Sequence, residues 1–446
     1  MISFLLEAFR TNKDKEAIIW KNKSYNYKWL LQRISYWREV IKSNKIKPGS
    51  VTILEADFSP DSVALFISLI EHSCVLVPLT SSVESKKPEF IEISQGEVSF
   101  LIDLKDEVKV TKFSRIADHN YYKKLRSLNH PGLVLFSSGS TGKSKAAVHD
   151  LVSLLEKFKV PRHSLRTVPF LLYDHIGGVN TMLYTLSNAG CMVTVQERSP
   201  DSVLSAVEKY KVELLPTSPT FINLVLLSEA YKRYDLASLK TITYGTEPMP
   251  ESTLKRIHEI LPDVRLLQTY GLSELGILRS KSKDSDSLWV KVGGEGFKTK
   301  IVNNILWIRA ESAMIGYLNV PNPFDEDGWF NTGDLVEVDG DYIRFLGRES
   351  EIINVGGEKV YPVEVESMLQ SLEGVEGVTV SGESNPITGQ IVKALVKLNT
   401  EETSSEFRKR MRAFCRDKLP NYKIPQKVEI VTEDMHGDRF KKKRLG

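Results

Sequence analysis

Nine consecutive residues, Ser137 to Lys145, hold four serines, one threonine, two glycines and two lysines. Glycines let successive backbone N–H groups turn into one concavity. Hydroxyl and ammonium groups add donors and positive charge. Such a stretch suits phosphate oxygens; taken alone it could equally be a solvated turn. Gly142-Lys143-Ser144 matches the end of the G-x-x-x-x-G-K-S/T phosphate loop, but the loop's first glycine would fall on Ser137, where a serine cannot do the steric job. A second group, Thr269-Tyr270-Gly271-Leu272-Ser273-Glu274, offers a ring that can stack on a flat base, hydroxyls for phosphate oxygens and a carboxylate for Mg²⁺. That cation prefers one or two carboxylates plus phosphate oxygens. A third group is spread from Gly316-Tyr317 through Gly328-Trp329-Phe330-Asn331-Thr332-Gly333-Asp334 and Arg348 to Gly356-Gly357.

These groups need elements to aim them. The apolar run Leu133-Val134-Leu135-Phe136 predicts a buried strand feeding the first loop. Upstream, helices over Trp29 to Lys42 and Asp61 to Glu71 alternate with strands at Val51 to Leu54 and Cys74 to Leu79. This βαβ patterning favours a parallel sheet covered on both faces. Val168 to Leu172 reads as a further apolar strand ending in Asp174, His175, Gly177 and Gly178, at the strand end where α/β folds keep their ligands. Ile242-Thr243-Tyr244 leads to Gly245-Thr246-Glu247-Pro248, and a glycine at 245 would let a base approach the backbone. A hairpin is expected at Asp339-Gly340-Asp341. Strands at Val378 to Gly382 and Val392 to Leu398, with a helix from Glu402 to Leu419, give the end of the chain an α+β character.

From Leu133 to Pro425 these segments, in this order, resemble the adenylate-forming superfamily of acyl-CoA synthetases, adenylation domains and luciferases, the acyl-CoA synthetase type above all. Ser137 to Lys145 is similar to its S-S-G-S/T-T-G-x-P-K loop, with Ser144 in place of proline; Thr269 to Glu274 to Y-G-x-T/S-E; the third group to G-W-F-x-T-G-D, G-R and G-G-E-x-V-x-P-x-E-V-E. The resemblance implies a large multi-sheet N-terminal domain of parallel βα layers, residues 1–348, and a small mobile α+β lid, residues 349–446, hinged near Ser350 and Glu351. It implies ATP, Mg²⁺ and CoA, or a phosphopantetheine carrier protein, as partners of a small carboxylic acid. Ser137, Ser138, Gly139, Ser140, Thr141, Gly142 and Lys145 would cradle phosphate, and Gly245, Thr246, Glu247 and Gly271 would line the adenine. Tyr270 would stack, Thr269 and Ser273 would touch phosphate, and Glu274 would bind Mg²⁺. Asp334 would hold both ribose hydroxyls, beside Arg348, and Gly356 and Gly357 would enter for the thiol step. His175 matches the histidine that lines the acid pocket, with Gly177, Gly178 and Asn180 shaping it. Ile176 stands where amino-acid-activating relatives place an aspartate. An α-ammonium there would lack its counter-charge, so an acid without an α-amine is expected.

The family closes with a catalytic lysine in G-K-x-x-R/K. Here the tail reads Gly437-Asp438-Arg439-Phe440-Lys441. Aligning the aromatic puts Arg439 in that place and a shifted register puts Lys441 there; Asp438 has the wrong charge. Transfer to an amine, a reaction that stops at the acyl-adenylate, and a catalytically weak nucleotide-binding protein are the alternatives. The 60 basic against 57 acidic side chains exclude the strongly basic face of a dedicated nucleic-acid binder. Apolar runs such as Val63 to Ile67 are far shorter than the roughly 20 residues of a membrane span. Cys74, Cys191 and Cys415 lie far apart, without metal-ligand spacing, as reduced thiols in a cytoplasmic protein would.

Overall fold

The computed structural model describes residues 1–138, 144–433 and 435. Three long helices begin with the same two letters: Ser59-Pro60, Ser199-Pro200 and Ser218-Pro219. In each the serine hydroxyl accepts an N–H of the first turn and proline takes the first helical position, where its missing donor costs nothing.

Two seven-stranded sheets form the body. One runs in spatial order Arg265–Gln268, Thr241–Tyr244, Leu214–Thr217, Arg166–Thr167, Cys191–Val193, Glu16–Trp20 and Lys23–Asn26, parallel up to its last hairpin. The other runs Gly316–Tyr317, Ser144–Asp150, Gly132–Ser138, Val75–Leu79, Val51–Glu55, Val98–Ile102 and Val108–Lys112, parallel in its middle and antiparallel at its edges. Side chains alternate between faces with period two. Leu133 and Leu135 enter one core and Val134 and Phe136 another; Ile18 and Ile19 part in the same way. Helices Tyr27–Ser43, Pro60–Glu71 and Ile176–Ser187 share one apolar core with the facing sides of both sheets. Pro60–Glu71 is buried from Pro60 to Ile70, which is why its sequence is apolar on every side.

A six-stranded antiparallel sheet follows, in the order Arg279–Ser282, Val290–Gly293, Tyr342–Arg348, Phe330–Asp339, Ile305–Ala310 and Phe297–Val302, with its own core. The end of the chain folds around a separate core drawn from residues between Ile353 and Val428, where strands Val375–Asn385 and Gly389–Leu398 carry helices Pro362–Gln370 and Ser404–Cys415. The chain is therefore α/β, with a large multi-sheet N-terminal part and a small α+β C-terminal part. No described helix is long and apolar enough to cross a membrane.

One predicted strand fails. Val168 to Leu172 carries no ladder; the paired strand is Arg166–Thr167, just before it. Pro169 has no N–H to give, and the Phe170 N–H donates back to the Val168 carbonyl at 2.9 Å, closing a turn in place of a strand.

Candidate functional site

Strands Phe330–Asp339 and Tyr342–Arg348 form the expected hairpin, and its register sets Asp334 opposite Arg348. Arg348 Nε lies 3.4 Å from Asp334 Oδ1. The register slips beyond Leu335, at Gly347, whose φ of 123° only glycine adopts freely. Residues three apart on a regular strand face opposite ways; this bulge lets Phe345 and Arg348 serve one site. Phe345 stacks on Tyr270 with centroids 4.6 Å apart and planes 13° apart. The Tyr270 hydroxyl donates to Asp334 Oδ2 at 2.6 Å. Burial pushes the Asp334 carboxyl above its ordinary range, the Arg348 charge and the Tyr270 hydrogen bond pull it back, and nearby Glu274 adds a further upward push. Tyr270 is pushed well up by burial and by the Asp334 charge.

Glu274 is presented at the tip of the small hairpin Gly271–Leu272 and Gly276–Ile277. The tip is gripped by the following loop: Met314 N donates to the Glu274 carbonyl at 2.7 Å and Ser312 Oγ to the Leu275 carbonyl at 2.9 Å. The Tyr317 hydroxyl donates to the Glu274 carboxylate. Tyr317 pairs with Ala147 on the strand that leaves the phosphate loop, and the Lys145 ammonium sits 5.6 Å from its ring centre. Burial and the Glu274 charge push the Tyr317 hydroxyl up, and Arg348 pulls it down. Lys145, Tyr317, Glu274, Arg348, Asp334 and Tyr270 are thus brought into one site from separate stretches of sequence.

Other expected residues are placed as follows. Thr269 gives both its N–H and its hydroxyl to the Tyr244 carbonyl, at 2.7 and 3.1 Å, so its proton is committed to the strand end. A Cβ on Gly245 would meet the Thr269 carbonyl oxygen at 2.6 Å; the neighbouring strand alone demands that glycine. Thr246 has φ 74°, and Glu247 accepts from Thr220 N at 2.7 Å, tying the turn to helix Pro219–Leu227. His175 caps helix Ile176–Ser187, its Nδ1 accepting from Gly177 N at 3.0 Å, which leaves the proton on Nε2. Cβ atoms on Gly177 and Gly178 would strike Leu171 Cδ1 at 2.6 Å and the Leu172 carbonyl at 2.0 Å. Both glycines are therefore needed for the close approach of Leu171 and Leu172 to the helix start. Gly356 and Gly357, at φ 61° and 93°, form the two-residue turn between Ile353–Val355 and Glu358–Val360, a backbone that glycine suits. Ser137 pairs with Lys145 in the strand ladder, and Ser138 is described for its backbone alone. Gly139, Ser140, Thr141 and Gly142, with Arg439 and Lys441, lie outside the described residues.

The residues hold a set of donors that suits Mg²⁺ and a nucleotide. Among the described residues no three His, Cys, Asp or Glu side chains gather as a metal cage. One carboxylate, Glu274, is linked through Tyr317 to Lys145, and a single carboxylate suits a cation that completes its shell with phosphate oxygens. Sequence reasoning gave no role to Tyr317 or Phe345. The pair Gly316-Tyr317 was a usable signal for the first; the second depends on a bulge that the sequence does not announce.

Comparison with known proteins gives a consistent picture. A family model described as AMP-binding enzyme matches residues 5–301, and one described as AMP-binding enzyme C-terminal domain matches residues 364–441. The chain is 29% identical over 334 residues to a feruloyl-CoA synthase of Amycolatopsis, covering 67% of this chain and 65% of that one. It is 26% identical over 401 residues to the 4-coumarate–CoA ligase-like protein 9 of Arabidopsis thaliana, covering 78% and 71%. The chain spans less than two thirds of the length of most of these curated relatives, between 57% and 65%. Among solved structures, the anthranilate CoA ligase AuaEII in complex with anthranoyl-AMP aligns with TM-score 0.80 at 19% identity, covering 98% of this chain and 95% of that one. The amide bond synthetase McbA from Marinactinospora thermotolerans aligns with TM-score 0.75 at 19% identity, covering 98% and 96%. At that identity these likenesses concern the fold.

Proposed function

We propose, for a chain that belongs to the AMP-binding enzyme family, that it activates a small carboxylic acid with ATP through an acyl-adenylate and then passes the acyl group to the thiol of CoA or of a carrier-protein pantetheine. The observation that carries this reading is the convergence of Lys145, Tyr317, Glu274, Arg348, Asp334 and Tyr270. In the first step the acid's carboxylate oxygen attacks the α-phosphorus and pyrophosphate leaves. In the second the thiol sulfur attacks the acyl carbon, AMP leaves and the thiol proton is lost.

The barrier to the first step is electrostatic, since an anion approaches a polyanion. Mg²⁺, held by Glu274, would neutralise phosphate charge when bound. Asp334 accepts both ribose hydroxyls while Arg348 and the Tyr270 hydroxyl hold its carboxylate in place. The ring of Tyr270, backed by Phe345, gives the base a flat wall. Lys145 and the loop hydroxyls face the phosphates. Arg439 or Lys441 supplies the tail's positive charge. The short helical turn Glu349–Glu351, which joins strand Tyr342–Arg348 to the separately cored C-terminal part, serves as the hinge. It turns the Gly356-Gly357 hairpin toward the site for the thiol step. An acid without an α-ammonium is expected, since Ile176 offers no counter-charge where a carboxylate would stand.

The test is pyrophosphate release across a panel of carboxylic acids, with and without CoA. Acid-dependent release with a CoA thioester as product upholds the proposal. Release with product formed from added amines alone moves the acceptor to nitrogen, and tight ATP binding with no acid-dependent release leaves a nucleotide-binding protein.

A further inference from the structure

Most neighbours of the Ser273–Glu274 tip act through the loop that carries Ser312, Met314 and Tyr317. His149 comes from another direction. It lies on strand Ser144–Asp150, opposite Leu133 in the ladder, five positions after Ser144. Its side chain is fully buried, at 0% exposure, and both ring nitrogens lack a well-formed hydrogen bond. The ring lies beside the backbone of Ser273, near enough to interact, and among the described residues neither ring nitrogen completes a hydrogen bond. Leaving a buried polar atom unmet is costly. Its strand neighbours Ala147 and Val148 are apolar and also 0% exposed, so packing alone would be served better by an aliphatic side chain. Burial holds the imidazole neutral, its pKa lowered to about 4, and a neutral ring keeps one N–H donor.

We propose that His149 is a positioning residue for nucleotide binding: its ring N–H holds the Ser273 carbonyl and fixes the Ser273–Glu274 turn against the strand that carries Lys145. This rests on the function proposed above. The same seven-residue strand carries Lys145 near its start and His149 near its end. Lys145 meets Glu274 through Tyr317, and His149 meets the preceding residue from beneath, so one rigid strand sets both contacts.

The test is calorimetric binding of Mg-ATP with adenylation kinetics on the full chain. His149→Leu removes the donor at similar volume; His149→Asn and His149→Gln each offer an amide donor near one of the two ring nitrogens. The expected result is a rise of tenfold or more in Kd and KM for Mg-ATP with His149→Leu, a KM for the acid within twofold of wild type, and recovery of most of the affinity by one of the two amide variants. Affinity within twofold of wild type in His149→Leu overturns the inference, as does an equal loss in acid KM that neither amide restores. Should His149→Leu not fold, the amide pair decides: one near wild type and the other at least fivefold weaker upholds the role, and equal affinities overturn it. Wild-type protein that binds no Mg-ATP strikes down the functional reading and this inference with it; wild-type binding that His149→Leu leaves intact strikes down this inference alone.

Discussion

Asp334→Asn separates what the carboxylate does for the nucleotide from what it does to the fold. The side chain is 14% exposed, accepts from Tyr270 at 2.6 Å and lies 3.4 Å from Arg348, which is itself 52% exposed. A hydrogen bond to a charged acceptor is worth about 1.5–3 kcal/mol, a neutral one about 0.5–1.5. A carboxylate that accepts two ribose hydroxyls contributes two of the former. Asparagine keeps one carbonyl acceptor, so about one charged bond is lost and the other weakened, roughly 2–4 kcal/mol, or on the order of 30- to 1000-fold in nucleotide affinity. Stability should move the other way. Burial raises the carboxyl's pKa in the folded state, so the folded protein binds more protons than the unfolded chain between the ordinary value and the raised one. In that window stability falls as pH rises. At neutral pH the ionised group therefore opposes folding, and the half-exposed Arg348 returns little. The variant should melt no lower than wild type at pH 7, with its relative gain vanishing in acid as both proteins become neutral at this position. Calorimetric titration with Mg-ATP and melting curves from pH 4 to 8 measure both effects. Nucleotide affinity within threefold of wild type would refute the ribose role, and a lower melting temperature at pH 7 would refute the burial argument.

Three further outcomes follow from the same geometry. Glu274→Gln should slow acid-dependent pyrophosphate release at least 100-fold and shift its Mg²⁺ dependence, while the melting temperature holds because the Tyr317 hydroxyl can still donate to the amide oxygen; an unshifted Mg²⁺ curve would remove the carboxylate from metal binding. Gly245→Ala should destabilise by about 1–3 kcal/mol or more in urea denaturation, since its Cβ would lie 2.6 Å from the Thr269 backbone oxygen, and stability equal to wild type would show that the strand ends can part. Lys157 donates to the Ile277 carbonyl at 3.1 Å, and burial first, then the Arg162 and Arg279 charges, lower its pKa from 10.5 to about 8. The unfolded chain then binds the extra proton between those values, so stability should rise with pH across that range by up to roughly 3 kcal/mol. Lys157→Met should stabilise near pH 7 and lose its advantage by pH 10, which melting curves at the two pH values would check.

Local signals made much of this molecule legible before any coordinates. The helices over Trp29 to Lys42 and Asp61 to Glu71 were legible, and the unbroken apolar run Leu133 to Phe136 announced a strand with both faces buried. The phosphate-loop glycines and serines, Glu274 and Asp334 stood in recognisable company. What escaped was non-local. Val168 to Leu172 has the composition of a strand, yet the Phe170 N–H turns back to the Val168 carbonyl; its proline does not foretell this, since Pro78 and Pro216 sit within paired strands. Gly177 and Gly178 were read as shaping an acid pocket; the close approach of Leu171 and Leu172, which also requires them, was not legible. Phe345 reached the site through a register slip that no residue pattern foretells, and Gly347 permits the slip without requiring it. Each miss has one cause: a glycine or an apolar run states what the backbone can do, and only its neighbours in space decide which of those things it does. Asp334 shares that ambiguity: loop length and strand period alone would set it opposite Gly347, and the slip between Leu335 and Val336 sets it opposite Arg348. Glu274 and Asp334 were singled out by their neighbours in sequence, whereas the partners that meet them, Arg348, Phe345 and Tyr317, reach them through a bulge or from a distant segment.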